Sequence, residues 1–246
     1  MRKIIFLDAG HGGRDPGAVL GNRRKSDDSL RFALAVQPHL VRQGFDVRLT
    51  RCEDVFIDIS TRWRTANECG ADLFVSLHRN AAPNNPNGSQ NIAAHGIENW
   101  VRLNAPAASR ELAADILTEL ADVGIQANRG IKSTGSFGVL NNTKMPATLV
   151  ELGFVANAED NRLFDTKLDE YAQAIAKGIC ITLGAEYLTP KSVVEIRSNE
   201  LWRVQLGAFR QRENAERLRD LLHKNGFEAF IVAPLEEQSA VTSSLP

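Results

Sequence analysis

Three apolar runs, each leading into a residue able to do chemistry, predict an α/β protein with a mainly parallel sheet and helices on both faces. The runs are Ile4-Ile5-Phe6-Leu7 ahead of His11, Leu73-Phe74-Val75-Ser76-Leu77 ahead of His78, and Ala147-Thr148-Leu149-Val150 ahead of Glu151. A short apolar run without alternation is the pattern of a strand covered on both faces. Helix-spaced segments lie between the runs, and such alternation builds a parallel sheet crossed by helices. Open sheets of this kind bind ligands beyond the carboxyl edge of their strands, where both histidines fall.

The elements follow in order. Residues 3–8 read as a strand, and residues 27–43 as a helix with Ser26 or Asp27 as N-cap and Gly44 as its stop. Pro38 should kink that helix or sit on an irregular turn. Residues 45–49 alternate as a strand, residues 59–69 form a helix ending at Gly70, and the His78 strand follows. The Asn- and Pro-rich stretch at 82–91 is a loop beside His78. Residues 107–123 are an amphipathic helix, residues 147–152 the acid-bearing third run, and residues 168–183 a closing helix. This first domain spans residues 1–186 and is followed by a polar linker at 187–199 containing Pro190. Residues 200–234 form a small βαβ half-module, with strands at 201–206 and 227–232 around a helix at 214–225. Residues 235–246 read as a disordered tail.

Composition excludes several functions. The net charge of the 246-residue chain is −1, which argues against nucleic acid as a bulk electrostatic partner. No apolar run is long enough to give a membrane span. Met1-Arg2-Lys3 leads into four apolar residues and then Asp8, which is not the pattern of a cleaved signal peptide. Synthesis in the cytoplasm without a signal peptide is therefore expected. Cys52, Cys69 and Cys180 are odd in number and scattered, and are expected to be reduced and mostly buried.

His11 and His78, on separate strand ends, are a candidate zinc pair, and Gly10, Gly12 and Gly13 let the backbone approach closely. Two hydrogen-bonded structural histidines are the plainer alternative. A catalytic zinc site has three protein ligands and a water, and a nearby carboxylate that moves a proton completes a hydrolase. Glu151, embedded in apolar neighbours, suits that role unless it is a salt-bridged core acid. His39, His95, Trp63 and Trp100 lack motif context and read as packing or surface residues.

With these residues in view, the chain resembles the zinc-dependent N-acetylmuramoyl-L-alanine amidases of cell-wall lysis. The matching stretches are Asp8-Ala9-Gly10-His11-Gly12-Gly13-Arg14-Asp15-Pro16-Gly17-Ala18, Ser76-Leu77-His78-Arg79-Asn80-Ala81, and Met145-Pro146-Ala147-Thr148-Leu149-Val150-Glu151-Leu152-Gly153-Phe154-Val155-Ala156-Asn157. The resemblance implies Zn2+ on His11 and His78, Glu151 as the catalytic acid or base, and Asn80 as a substrate-binding residue. It implies cleavage of peptidoglycan between the lactyl group of N-acetylmuramic acid and the first L-alanine, by a phage lysin or an autolysin that reaches the cell wall after release. A zinc peptidase acting on ordinary peptides is a further reading.

One position departs from the family. A third zinc ligand, a glutamate, belongs just before the first long helix, and Lys25 stands there. An ammonium has no lone pair for zinc and repels it. Asp28, three positions on, could substitute only if the helix start shifted. Lys25 thus raises the alternative of a catalytically silent peptidoglycan-binding protein.

The C-terminal unit resembles one half of the sporulation-related (SPOR) repeat, through Trp202-Arg203-Val204-Gln205-Leu206-Gly207-Ala208-Phe209 and Gly226-Phe227-Glu228-Ala229-Phe230-Ile231. The resemblance implies glycan binding, with Gln205 and Phe209 as contact residues. A half-module has little core of its own, so a dimer through this repeat is one expectation.

Overall fold

The computed structural model describes residues 2–189, 212–224, 229 and 231. The chain divides into two compact units, residues 1–191 and 192–246.

In the first unit the elements run β1 (Ile4–Ala9), the short strands β2 (Val19–Leu20) and β3 (Arg23–Arg24), α1 (Lys25–Arg42), β4 (Asp46–Leu49), α2 (Ile59–Glu68) and β5 (Leu73–Asn80). They continue with β6 (Ile97–Arg102), α3 (Ala107–Val123), β7 (Asn128–Thr134), α4 (Gly138–Asn141), β8 (Ala147–Phe154), α5 (Ala158–Thr166) and α6 (Leu168–Thr182). Six strands form one sheet in the order β4-β1-β5-β8-β6-β7, and β2 and β3 form a separate hairpin. All pairings in the large sheet are parallel except β6 against β8. The mainly parallel α/β fold expected from the three runs is the fold observed.

Strand residues alternate between two cores, as the period of two requires. Ile5, Leu7, Val75, Leu77, Val150 and Leu152 pack with α1, α3 and α6 on one face. Phe6, Phe74, Ala147 and Leu149 pack with Ala66 of α2 and Val139 and Leu140 of α4 on the other. Every residue of β8 is buried, which is why its sequence shows no alternation.

Several boundaries differ from expectation. Helix α1 starts at Lys25, with Arg24 as N-cap and no side-chain cap, rather than at Asp27. Its first N–H groups are taken by the loop before it: Lys25 donates to the Ala18 carbonyl at 3.1 Å and Ser26 to that of Pro16 at 3.1 Å. Backbone acceptors replace the serine or aspartate cap. The helix also runs through Pro38 to Arg42. Pro38 and Leu34 are exposed, so the carbonyl that loses its partner lies on the wet side of the helix. Strands β6 and β7 and helix α5 were not anticipated. Strand β7 is a polar edge strand, and β6 carries buried Glu98 and Asn99, so neither shows an apolar run. Among the cysteines, Cys180 is buried, Cys69 half-buried and Cys52 exposed, so burial holds for one of them only. His39 is buried against Asp169 at 2.9 Å, whereas His95 is exposed.

In the second unit, α7 (Arg212–Lys224) overlaps the helix expected at 214–225 and begins two residues earlier. Arg212 and Glu216 pair along it at 2.9 Å. Apart from residues 229 and 231, the flanking strands lie outside the described residues, as do Gln205, Phe209 and the tail. No helix among the described residues is long and apolar enough to cross a membrane.

Asp160 closes the sheet end that carries the site. Its Oδ2 accepts from the backbone N–H of Gly96 at 2.9 Å and of Phe154 at 2.8 Å, and it packs against Gly153, whose φ is +75°. Each stranded buried donor costs about 1–3 kcal/mol. Asp160→Ala is therefore expected to lower unfolding stability by roughly 2–4 kcal/mol in urea titrations. A loss under about 0.5 kcal/mol would show that these bonds do not hold the strand ends.

Candidate active site

The carboxyl edge of β1, β5 and β8 brings the three expected residues together. His78 and Glu151 are direct neighbours in the parallel register of β5 and β8, so their side chains leave the same face. Leu77 pairs with Ala9 at the end of β1, which places Gly10 beside His78. A Cβ on Gly10 would sit 2.2 Å from the His78 ring, so only glycine lets that imidazole lie on the backbone. The chain then turns through His11 (φ +59°) and Gly12 (φ +126°), and the His11 ring meets that of His78 edge-on at 5.0 Å between centroids.

The loop is held by two buried arginines that sequence reasoning missed. Arg51 donates to the carbonyls of Ala9, Gly10 and Ser26 at 2.7–3.0 Å. Arg62 donates to the carbonyls of Ala9 and His11 at 2.6–2.7 Å and to Asp8 Oδ1 at 2.8 Å. Neither stands near a motif in sequence, and nothing in their spacing marks them.

His11 Nδ1 lies 2.9 Å from Asp15 Oδ2. A carboxylate only accepts, so the proton sits on Nδ1 and Nε2 keeps its lone pair. His11 Nε2 is buried and without a hydrogen-bond partner, and so is Glu151 Oε2. Burial, reinforced by the charge of Lys25, pushes the His78 pKa well below its ordinary value and lowers that of His11 as well, so both rings are neutral at pH 7. Burial also raises the Glu151 pKa to about 7; the Glu98 charge adds to the rise, and Lys25 and Arg79 oppose it.

Lys25, the first residue of α1, points into this cluster. Its Nζ is 3.9 Å from Glu151 Oε2, and the two side chains are 10% and 9% exposed. A Cβ on Gly17 would collide with both the His11 ring and Lys25 Cβ, which shows how closely these groups converge. Two lone-pair imidazoles with an orphaned Nε2 suit a metal ion. The complete set does not, because the third position holds a cation in place of a donor. Among the described residues no group of three or more His, Cys, Asp or Glu is placed to hold a metal. A three-ligand zinc centre does not fit this chain as it stands.

Asp28 does not supply the missing ligand. Its Oδ2 accepts from Arg23 Nε at 2.6 Å and from Arg79 at 2.7 Å, and Arg31 lies 3.5 Å from Oδ1. Arg79 is fully buried, stacks on Phe164 at 4.3 Å and bonds Asn161 and the Gly153 carbonyl. The aspartate is the counter-charge of that arginine. Asn80 is likewise engaged: its Nδ2 donates to Glu98 Oε1 at 2.8 Å and its Oδ1 accepts from the Ala81 N–H. Glu98, another residue that sequence reasoning missed, pairs directly with Glu151 across β6 and β8.

Fold and site together define an α/β scaffold with a histidine pair and a buried glutamate at the carboxyl edge of a mainly parallel sheet. The family model described as N-acetylmuramoyl-L-alanine amidase matches residues 5–181, and the SPOR-domain model matches residues 181–242. This chain belongs to the N-acetylmuramoyl-L-alanine amidase family, whose members hydrolyse peptidoglycan. It is 31% identical over 231 residues to the sporulation-specific N-acetylmuramoyl-L-alanine amidase of Bacillus subtilis (strain 168), covering 93% of this chain and 84% of that protein. It is 36% identical over 188 residues to the endolysin of Bacillus phage SPP1, covering 73% of this chain and 65% of that one. Among solved structures, N-acetylmuramoyl-L-alanine amidase from Clostridium difficile 630 superposes with a TM-score of 0.69 at 31% identity, over 75% of this chain and 98% of that one.

The role of Asp28 gives a second expectation. Removing one partner of a buried ion pair costs about 3–5 kcal/mol, because the other charge stays buried. Asp28→Asn should lose stability on that scale in thermal unfolding while leaving metal uptake unchanged. A stable variant with altered zinc content would make Asp28 a ligand after all.

Proposed function

We propose that this chain is a peptidoglycan amide hydrolase whose turnover is held down by Lys25. The bond is the one between the lactyl group of N-acetylmuramic acid and the first L-alanine. The observation that carries the reading is the Lys25 ammonium, buried 3.9 Å from Glu151 at the third corner of the histidine pair. Its charge offsets the carboxylate electrostatically but offers no electron pair.

The groups suited to the reaction are otherwise present. Glu151, with a pKa near 7, populates both protonation forms at neutral pH and can take a proton and return it to a leaving amine. The neutral imidazoles present lone pairs, with Asp15 fixing the His11 tautomer. Were a third donor present, His11 and His78 would be the residues to hold zinc, which would supply Lewis acidity at the scissile amide.

Exchanging the ammonium for a carboxylate should restore a three-ligand centre. Lys25→Glu is expected to retain about one zinc per chain after dialysis and to clear a cell-wall suspension. The parent should bind zinc more weakly by roughly 3–5 kcal/mol, taking the loss of one buried charge partner as the guide. In the Lys25→Glu background, Glu151→Gln should cut lysis at least about a hundred-fold without loss of zinc. Full zinc occupancy and rapid lysis by the parent would refute the dormant reading.

The second unit is proposed to hold the chain on glycan strands, on the strength of the SPOR match over residues 181–242. Replacing Gln205 and Phe209 together by alanine should weaken co-sedimentation with stripped glycan by roughly ten-fold, the scale of one binding hot spot. Unchanged sedimentation would place the glycan contacts elsewhere.

A further inference from the structure

The row of side chains that begins at the histidines does not end at Glu151. His78 on β5 pairs with Glu151 on β8, and Glu151 pairs with Glu98 on β6. Directly opposed residues on neighbouring strands share a face. Trp100, two residues beyond Glu98, pairs with Lys132 on β7. One face of four adjacent strands thus carries a line running from the imidazoles to the edge of the sheet.

At the far end of this line stands a buried carboxylate with two cations. Glu98 is 4% exposed. Its Oε1 accepts from the neutral donors Asn80 Nδ2 at 2.8 Å and Trp100 Nε1 at 3.1 Å. Its Oε2 accepts from Arg129 Nε at 2.7 Å and from the Lys132 ammonium. The Arg129 and Lys132 side chains remain 36% and 34% exposed. One negative charge against two positive charges leaves the group cationic. A guanidinium has five N–H donors, and the bond to Glu98 and a longer one of 3.4 Å to the His95 carbonyl use only part of them. Arg129 is further fixed over the Phe154 ring at 5.0 Å, and Lys132 over Trp100 at 5.5 Å. Both cations are therefore held in place with donor capacity left over.

We propose that Arg129 and Lys132, anchored on Glu98, form a carboxylate-binding subsite that reads the stem peptide beyond the scissile amide. The proposal rests on the substrate reading given above. Strands lie about 4.8 Å apart, so β7 stands roughly 10 Å from β8. An extended peptide covers about 3.3 Å per residue, so the cations meet the second or third residue after the amide. A carboxylate there completes the charge balance that Glu98 leaves open, through charge-assisted hydrogen bonds.

The test is binding to the full-length parent chain, followed by nuclear magnetic resonance titration, so that turnover is not needed. The probes are N-acetylmuramoyl-L-alanyl-D-glutamate with both carboxyls free and the same compound with both amidated. The parent is expected to bind the free acid roughly ten-fold or more tightly than the diamide, a preference that shrinks as salt is raised. Lys132→Met and Arg129→Gln, made singly so that Glu98 keeps one partner, should each reduce that preference while leaving diamide binding unchanged. Equal binding of the two probes by the parent overturns the subsite and leaves the substrate reading intact. Binding of neither probe overturns both. A preference that survives in both variants places the carboxylate elsewhere. Because the parent comparison needs no substitution, a variant that fails to fold does not remove the test.

Discussion

The site depends on two guanidinium groups grasping the backbone of one loop. Between them Arg51 and Arg62 bond the carbonyls of Ala9, Gly10 and His11, and Arg62 also neutralises Asp8. Without them the turn after β1 would leave carbonyls buried and unpaired as the chain passes through positive φ at His11, Gly12 and Gly13. Everything downstream follows from that fixed turn. His11 is presented edge-on to His78, Gly10 provides the floor for the second ring, and the Pro16 and Ala18 carbonyls meet the start of α1. The same cations sit close enough to disfavour protonation of His78. One pair of arginines therefore sets the shape of the loop and adds, after burial and Lys25, to the groups that keep the ring beside it neutral.

Much of this was legible in the sequence, for identifiable reasons. The strands bearing His11, His78 and Glu151 lie in the middle of the sheet, where burial on both faces forces apolar runs. Helix α3 matched to the residue because its amphipathic stripe is regular. What stayed hidden was held by polar contacts between distant segments. Glu98, Arg51, Arg62 and the Arg79–Asp28 pair find their partners 30 to 60 positions away or across the sheet, and no local pattern records such pairings. Strand β7 was missed because an edge strand can be polar on both sides. The start of α1 was misplaced because its first donors are met by backbone, which has no residue signature.

Lys25 is unfavourably placed in two respects. It faces the histidine pair, and as the first residue of α1 it adds positive charge to the positive end of a helix dipole. Asp27 and Asp28 in the same turn offset part of this, but Asp28 is already shared among arginines. Glu151 is left as the near neighbour that gains from the ammonium. A carboxylate at position 25 would suit the helix terminus and deprive Glu151 of that cation, so the preferences of the helix and of the buried acid oppose one another at this position.

Strand β7 has a further consequence, because among the described residues it forms one edge of the sheet. A free margin presents unpaired backbone groups to any other extended chain, and charged side chains are a common defence against such pairing. Arg129 and Lys132 lie on this strand, and Gly130 (φ +79°) interrupts its regular extension. Arg129 and Lys132 are thus charges of the kind that discourages strand addition at such a margin. Exchanging these charges for neutral residues would therefore remove a guard against edge-to-edge pairing at this margin.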